Sequence, residues 1–290
     1  MSKSFVVPSV QGGSGLGSRL RALRRLLLYV GLTLPLMPVQ ALALAFGWRL
    51  ATKLPLWYHA RCCRLLGFKV ERRGRQSRAH PTLYAANHTS YFDIMVLASL
   101  IEGSFVAKAE VARWPLFGQL ARLQRTVFVD RNSRNAANHR DDIRNRLRKG
   151  DDLILFPEGT SNDGNRVLPF KSALFAVTER WSGDRPLALQ PVSVAYTCLD
   201  GMPMGRYLRP FFAWYGDMDM AAHIWHAVAL GWVTVTVQFH RPIAISGLES
   251  RKVLSEQTYQ EVAAGVAAAL IGRRPAAGRA PSAPVEADRP

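Results

Sequence analysis

Leu26 through Trp48 is a run of 23 residues without a charged side chain. As an α-helix it would extend about 34 Å, against a hydrocarbon core of roughly 30 Å. No other feature restricts the fold as strongly, because so apolar a stretch has to meet lipid or a protein interior. Tyr29 and Trp48 stand near its ends, where amphipathic rings suit the headgroup level. Pro35 and Pro38 remove two backbone donors, so the run either crosses once or bends and returns to the side it entered. Arg19, Arg21, Arg24 and Arg25 precede it, and Arg49, Lys53, Arg61 and Arg64 follow. That symmetry favours re-entry over a single crossing. A cleavable secretory signal is the rival reading, since Ala41-Leu42-Ala43 resembles a cleavage site. The long basic region and the continuation to Trp48 argue against it.

Residues 50–66 repeat apolar positions at spacings of three and four (Leu50, Leu54, Trp57, Tyr58, Leu65) beside Arg61 and Arg64. This periodicity predicts a helix lying in the headgroup plane. Together the two segments predict a membrane-embedded helical hairpin. Arg72, Arg73, Arg75 and Arg78 then offer charge to anionic lipid or form a solvated loop.

Beyond this the chain reads as α/β. Short apolar runs at 68–70, 82–86, 105–107, 126–129, 153–156, 187–194 and 234–239 predict strands. Helical patterns fall at 90–100, 134–149, 170–181 and 256–270. The alternation predicts a mixed sheet flanked by helices. Four regions result: a basic flexible N-terminus (1–25), the membrane-embedded segment and interfacial helix (26–66), a catalytic domain (67–271) and a disordered, proline-rich tail (272–290).

Lys and Arg number 38 against 21 Asp and Glu, a net charge of +17. The excess draws the protein to something anionic. It is scattered rather than gathered into a basic recognition element, so nucleic acid is not an expected partner. Cys62, Cys63 and Cys198 form neither a disulfide framework nor a CxxC pair. His223 and His226 are read as structural, and no metal or bound cofactor is expected.

Three segments carry possible chemistry. In Asn87-His88-Thr89-Ser90-Tyr91-Phe92-Asp93, a strand-to-helix junction puts His88 on a loop and Asp93 in the first helical turn. Asp93 can then fold back onto the imidazole, fixing its tautomer and raising its basicity. Ser90 and Asp93 equally fit a helix-capping pair. Phe156-Pro157-Glu158-Gly159-Thr160 places a carboxylate at the carboxyl end of a buried strand, where α/β proteins build sites. Arg125 to Arg131 reads as a strand ending in Asp130-Arg131, with Arg131 a potential phosphate ligand.

Taken in order, these segments resemble the glycerolipid acyltransferase family, whose best-known members are 1-acyl-sn-glycerol-3-phosphate acyltransferases. His88 and Asp93 match its His-four-residues-Asp motif; Phe128 to Arg131, Phe156 to Thr160 and Pro191 to Ser193 match its later blocks. The resemblance spans about residues 65–200 and implies acyl transfer from a thioester (acyl-CoA or acyl carrier protein) to a lysolipid hydroxyl. His88 is then the general base and Asp93 its orienting partner, with oxyanion donors sought among the backbone N–H groups after His88. Arg131, Glu158, Gly159 and Thr160 become acceptor-binding residues. Many relatives have Arg after the Gly-Thr pair, where this chain has Ser161; Arg166 and Lys171 are cations available to replace it. The implied acceptor is 1-acyl-sn-glycerol-3-phosphate, acylated at its sn-2 hydroxyl to phosphatidic acid. The stretch from Ser161 to Lys171 also resembles relatives that acylate lyso-ornithine lipid, which is the alternative. The implied location is the inner membrane, with the catalytic domain facing the cytoplasm.

Overall fold

A computed structural model describes residues 17–129, 136–179, 181, 183–245 and 250–273. Nine strands form one mixed sheet: β1 (Phe68–Arg73), β2 (Thr82–Ala86), β3 (Ser104–Lys108), β4 (Val127–Val129), β5 (Leu153–Leu155), β6 (Leu187–Leu199), β7 (Met202–Pro203), β8 (Val233–Phe239) and β9 (Ile243–Ile245). The main path runs β1-β8-β6-β2-β5-β3-β4, with β7 and β9 also pairing with β6. From β6 through β4 every neighbour along this path is parallel, whereas β8 runs antiparallel to β6. The expected α/β fold with a mixed sheet flanked by helices is therefore the observed one.

Alternation along the strands builds a core on each face. Tyr84, Ala86 and Ile154 point to one side, and Leu83, Ala85, Leu153 and Leu155 to the other. The first core is closed by α1 (Arg19–Ala45), α2 (Leu50–Leu66), α3 (Phe92–Ala98) and α6 (Met220–Ala229). The second is closed by α5 (Ala136–Arg148), through Ile143 and Leu147, and by α7 (Arg251–Leu270), through Leu254. A short α4 (Phe117–Leu123) lies beside α1. The cysteine pair Cys62-Cys63 is buried in α2 against the first core.

The N-terminal region departs from the expected hairpin. Only α1, among the described residues, is long and apolar enough to cross a membrane. It begins at Arg19 and runs unbroken through Pro35 and Pro38. The chain turns later, at Phe46–Arg49, and α2 returns along α1: Thr33 Oγ1 meets Tyr58 Oη at 2.8 Å, and Gln40 Nε2 donates to the Ala51 carbonyl at 2.9 Å. With Lys53, Arg61 and Arg64 interspersed, α2 is too polar to be a second embedded helix; it buries Ala51, Cys62, Cys63 and Leu66 in the body. One face of α1, including Ala22, Arg25, Thr33, Gln40 and Ala43, is buried, while Leu20, Leu27, Leu34 and Leu42 stay exposed. Arg25 pins the helix, its Nη1 donating to the carbonyls of Val228 (2.9 Å), Leu230 (2.8 Å) and Gly231 (3.2 Å).

The helix expected over 170–181 is also replaced, by a 3₁₀ turn at Ser172–Phe175 and further turns. Phe175, Ala176, Val177 and Thr178 are all buried. Four consecutive buried residues suit no surface helix, which hides only one face.

Candidate active site

Strand register brings the first and third motifs together. β2 and β5 pair in parallel with Ala85 opposite Leu155. Counting three residues past that pair on each strand reaches His88 and Glu158. Glu158 Oε1 accepts the His88 backbone N–H at 2.7 Å, and Oε2 accepts the Leu168 N–H at 2.9 Å and Asn162 Nδ2 at 2.7 Å. The carboxyl is 1% exposed. Burial pushes it up to about 7, although its three N–H donors favour the anion. Gly159, at φ +67°, makes the turn that follows.

On the other side of β2, Asn87 continues the sheet with its side chain. Its Nδ2 donates to the Val194 carbonyl at 2.9 Å, and its Oδ1 accepts the Val194 N–H at 2.7 Å. The carboxamide thus imitates a peptide group and fixes where His88 leaves the sheet.

Asp93, fully buried in the first turn of α3, makes both sets of contacts open to it in the sequence. Its Oδ2 accepts the Thr89 and Ser90 N–H groups at 2.6 and 2.8 Å and meets His88 Nδ1 at 3.0 Å. Its Oδ1 accepts the Tyr196 hydroxyl at 2.8 Å. With Nδ1–H donating to a carboxylate, Nε2 carries the lone pair, so the imidazole can take a proton there. The ring stacks on Phe156, with centroids 4.1 Å apart, and its side chain is 21% exposed. A histidine so held can act as a general base toward a hydroxyl entering the cleft.

Of the backbone N–H groups expected to serve as oxyanion donors after His88, the first two are already engaged. The N–H groups of Thr89 and Ser90 are committed to Asp93, and that of His88 to Glu158. Thr160, Arg166 and Lys171 are exposed, and Lys171 enters through its backbone, its N–H donating to the Pro157 carbonyl at 2.9 Å. Ser161 uses its hydroxyl internally, donating to the Trp214 carbonyl. Arg131 lies outside the described residues. Tyr196 and Asn162 were not singled out in the sequence. Two-residue alternation along β6 from Val192 and Val194 leads to Tyr196, the one available signal.

An apolar cavity of about 230 Å³ opens beside this site. Tyr91 and Phe92 line it from the His88–Asp93 segment and Met95 from farther along α3, facing Leu36 and Met37 of α1 and Phe117 of α4. Aliphatic chains partition into such a space.

Residues 67–195 match the Acyltransferase family. A lyso-ornithine lipid O-acyltransferase of Brucella abortus is 43% identical over 84% of this chain and 93% of its own length. The chain belongs to the glycerolipid acyltransferase family. A 1-acyl-sn-glycerol-3-phosphate acyltransferase of Neisseria gonorrhoeae is 32% identical over 67% of the chain and 73% of that protein. The crystal structure of the 1-acyl-sn-glycerophosphate acyltransferase from Thermotoga maritima shares the fold, with a TM-score of 0.61 over 86% of this chain and 97% of that one, at 21% identity. The protein is accordingly an acyltransferase of lipid metabolism that acts on a lipid acceptor. The one helix among the described residues that is long and apolar enough to cross a membrane points to membrane association.

Proposed function

We propose that this acyltransferase moves a fatty acyl group from an acyl-CoA or acyl carrier protein thioester to the hydroxyl of lyso-ornithine lipid. The observation that carries the choice of acceptor is the 43% identity, over nearly the whole of both chains, to a lyso-ornithine lipid O-acyltransferase. The relative acting on 1-acyl-sn-glycerol-3-phosphate is more distant and aligns over less of the chain, so lysophosphatidate becomes the second acceptor to test. Ser161 agrees with this order, because it sits where many phosphate-using relatives carry Arg and is occupied with the Trp214 carbonyl.

In the proposed mechanism His88 Nε2 removes the proton of the acceptor hydroxyl as its oxygen attacks the thioester carbonyl. Asp93 holds the imidazole by Nδ1 and stabilises the imidazolium that forms. The same proton then passes to the departing thiolate. No acyl-enzyme is needed, because the hydroxyl attacks directly once oriented. Glu158 and Gly159 shape the loop that carries His88, and Thr160, Arg166 and Lys171 bound the acceptor's path. The apolar cavity receives an acyl chain. The exposed face of α1 rests in the inner membrane with the catalytic domain on the cytoplasmic side, where thioester donors are made.

The test is a ratio. Purified enzyme is given one labelled acyl donor and either lyso-ornithine lipid or lysophosphatidate, and kcat/KM is measured for each. A ratio strongly favouring lyso-ornithine lipid is expected; one favouring lysophosphatidate would replace the acceptor while leaving the proton transfer at His88 intact.

A further inference from the structure

Three polar residues, Asp163 and Asn165 from the Ser161–Lys171 stretch and Arg209 from a distant segment, meet beside the His88 loop. Asn165 Oδ1 accepts Arg209 Nη1 at 2.7 Å, and Asn165 Nδ2 donates to Asp163 Oδ2 at 3.2 Å. The same Nδ2 lies 3.2 Å from the Arg206 carbonyl, and the Asn165 N–H donates to Asp163 Oδ1 at 3.1 Å. The cluster abuts Thr89, the residue after His88. Gly164, at φ +73°, lies between them, and a Cβ built on it would stand 3.0 Å from Thr89 Cγ2 and 3.9 Å from Arg209 Cβ. The Trp214 N–H donates to the Thr89 carbonyl at 3.0 Å, tying the segment that carries Arg209 to the same loop.

The charges in this cluster are arranged but not neutralised. Arg209 Nη2 donates to the Met204 carbonyl at 3.0 Å, whereas its Nε is buried with no hydrogen-bond partner among the described residues. Burial and the neighbouring Arg206 both disfavour the Arg209 charge. Asp163 is close enough to favour it, yet the Asn165 carboxamide stands between the two and accepts from one while donating to the other. A cation partly withdrawn from water, facing a second cation and with no direct counter-ion among the described residues, is stabilised by an incoming anion. Beyond the carboxamide, Asp163 presents the opposite charge.

We infer that Arg209 and Asp163, spaced by Asn165, read the headgroup of an amino-acid lipid, Arg209 taking its carboxylate and Asp163 its ammonium group. This rests on the lyso-ornithine lipid acceptor proposed above and assigns the residues that select it. Ornithine acylated on one amine keeps one carboxylate and one ammonium, matching the two poles. A phosphate monoester meets the same arginine but also the Asp163 carboxylate, which repels it, so the cluster discriminates as well as binds.

The test uses full-length enzyme and chemically blocked acceptors: lyso-ornithine lipid, its carboxyl methyl ester, its N-acetylated form and lysophosphatidate. Arg209→Ala raises the KM for lyso-ornithine lipid about 10–100-fold while kcat changes far less. On the methyl ester, already weakened with wild type, the same substitution has little further effect. Arg209→Lys recovers part of the affinity. Asp163→Asn abolishes the preference for the free ammonium over the N-acetylated form and improves the relative use of lysophosphatidate. Equal losses by Arg209→Ala on free acid and ester, in protein with a wild-type melting profile, overturn the headgroup assignment alone. Wild-type enzyme favouring lysophosphatidate overturns the acceptor reading beneath it. If Arg209→Ala fails to fold, the ester comparison with Arg209→Lys decides: equal sensitivity to both acceptors refutes the assignment.

Discussion

Glu158 holds His88 by its backbone rather than by its ring: Oε1 of the carboxyl accepts the His88 N–H at 2.7 Å. The third sequence motif therefore sets the position of the first. Because Oε2 also binds Leu168 and Asn162, one buried carboxyl joins the His88 loop to the segment that leads to the inferred headgroup reader.

This carboxyl gives the protein a distinctive pH response. Burial pushes it up to about 7 from a reference of 4.5. Between these values the folded chain binds more protons at this site than the unfolded chain, so stability falls as pH rises. The contribution is fully present below about 4.5 and lost above about 7, and a shift of this size corresponds to about 3 kcal/mol. Glu158→Gln should be less stable, since an amide turns a donor toward groups that already donate. It should also lack this part of the slope. Thermal melts of both proteins from pH 4.5 to 7.5 provide the check; parallel curves would refute the assignment.

Replacing His88 by Ala removes the proton acceptor but leaves Asp93 with its Thr89, Ser90 and Tyr196 donors. Turnover should fall roughly 10²–10⁴-fold with the fold retained. Near-normal turnover in folded H88A protein would sink the general-base role. Asp93→Asn should lose both activity and melting temperature, because the same oxygen orients the ring and caps α3.

Tyr196→Phe isolates the orienting function. It deprives Asp93 Oδ1 of its hydroxyl donor in a fully buried setting. A stability loss of about 1–3 kcal/mol is expected, together with a kcat decrease of about 10-fold and unchanged KM values for donor and acceptor. An unaltered kcat would show that the hydroxyl supports only the fold.

Much of this architecture was legible locally. Apolar runs between turn signals located β2 and β5, and the spacing of His88 and Asp93 allowed the contact seen at 3.0 Å. What escaped was set by distant partners. The 170–181 pattern looks helical, but Leu168 and Lys171 must deliver their N–H groups to Glu158 and Pro157, and Phe175 to Thr178 fill the core as turns. Tyr196 and Arg209 meet Asp93 and Asn165 at places their own neighbourhoods do not announce. The expected embedded hairpin differs from the structure because the helix continues through the prolines that suggest a bend, and because α2 shows helical periodicity whether it faces lipid or protein.

Arg25→Ala tests how firmly α1 is mounted. Three buried carbonyls, those of Val228, Leu230 and Gly231, lose their shared donor. A destabilisation of about 2–4 kcal/mol and faster proteolysis between residues 17 and 50 in detergent are expected. Unchanged melting and cleavage would show that packing alone retains the helix.

The one-sided burial of α1 has a further consequence. In the proposed membrane placement, a helix fastened along its inner face, with leucines projecting from the outer one, would set the working height of the cleft above the lipid surface. On that placement the acceptor would have to rise to the cleft by the same distance in every turnover. Bilayers that hold their headgroups tightly should then slow capture of the acceptor while leaving the proton transfer untouched.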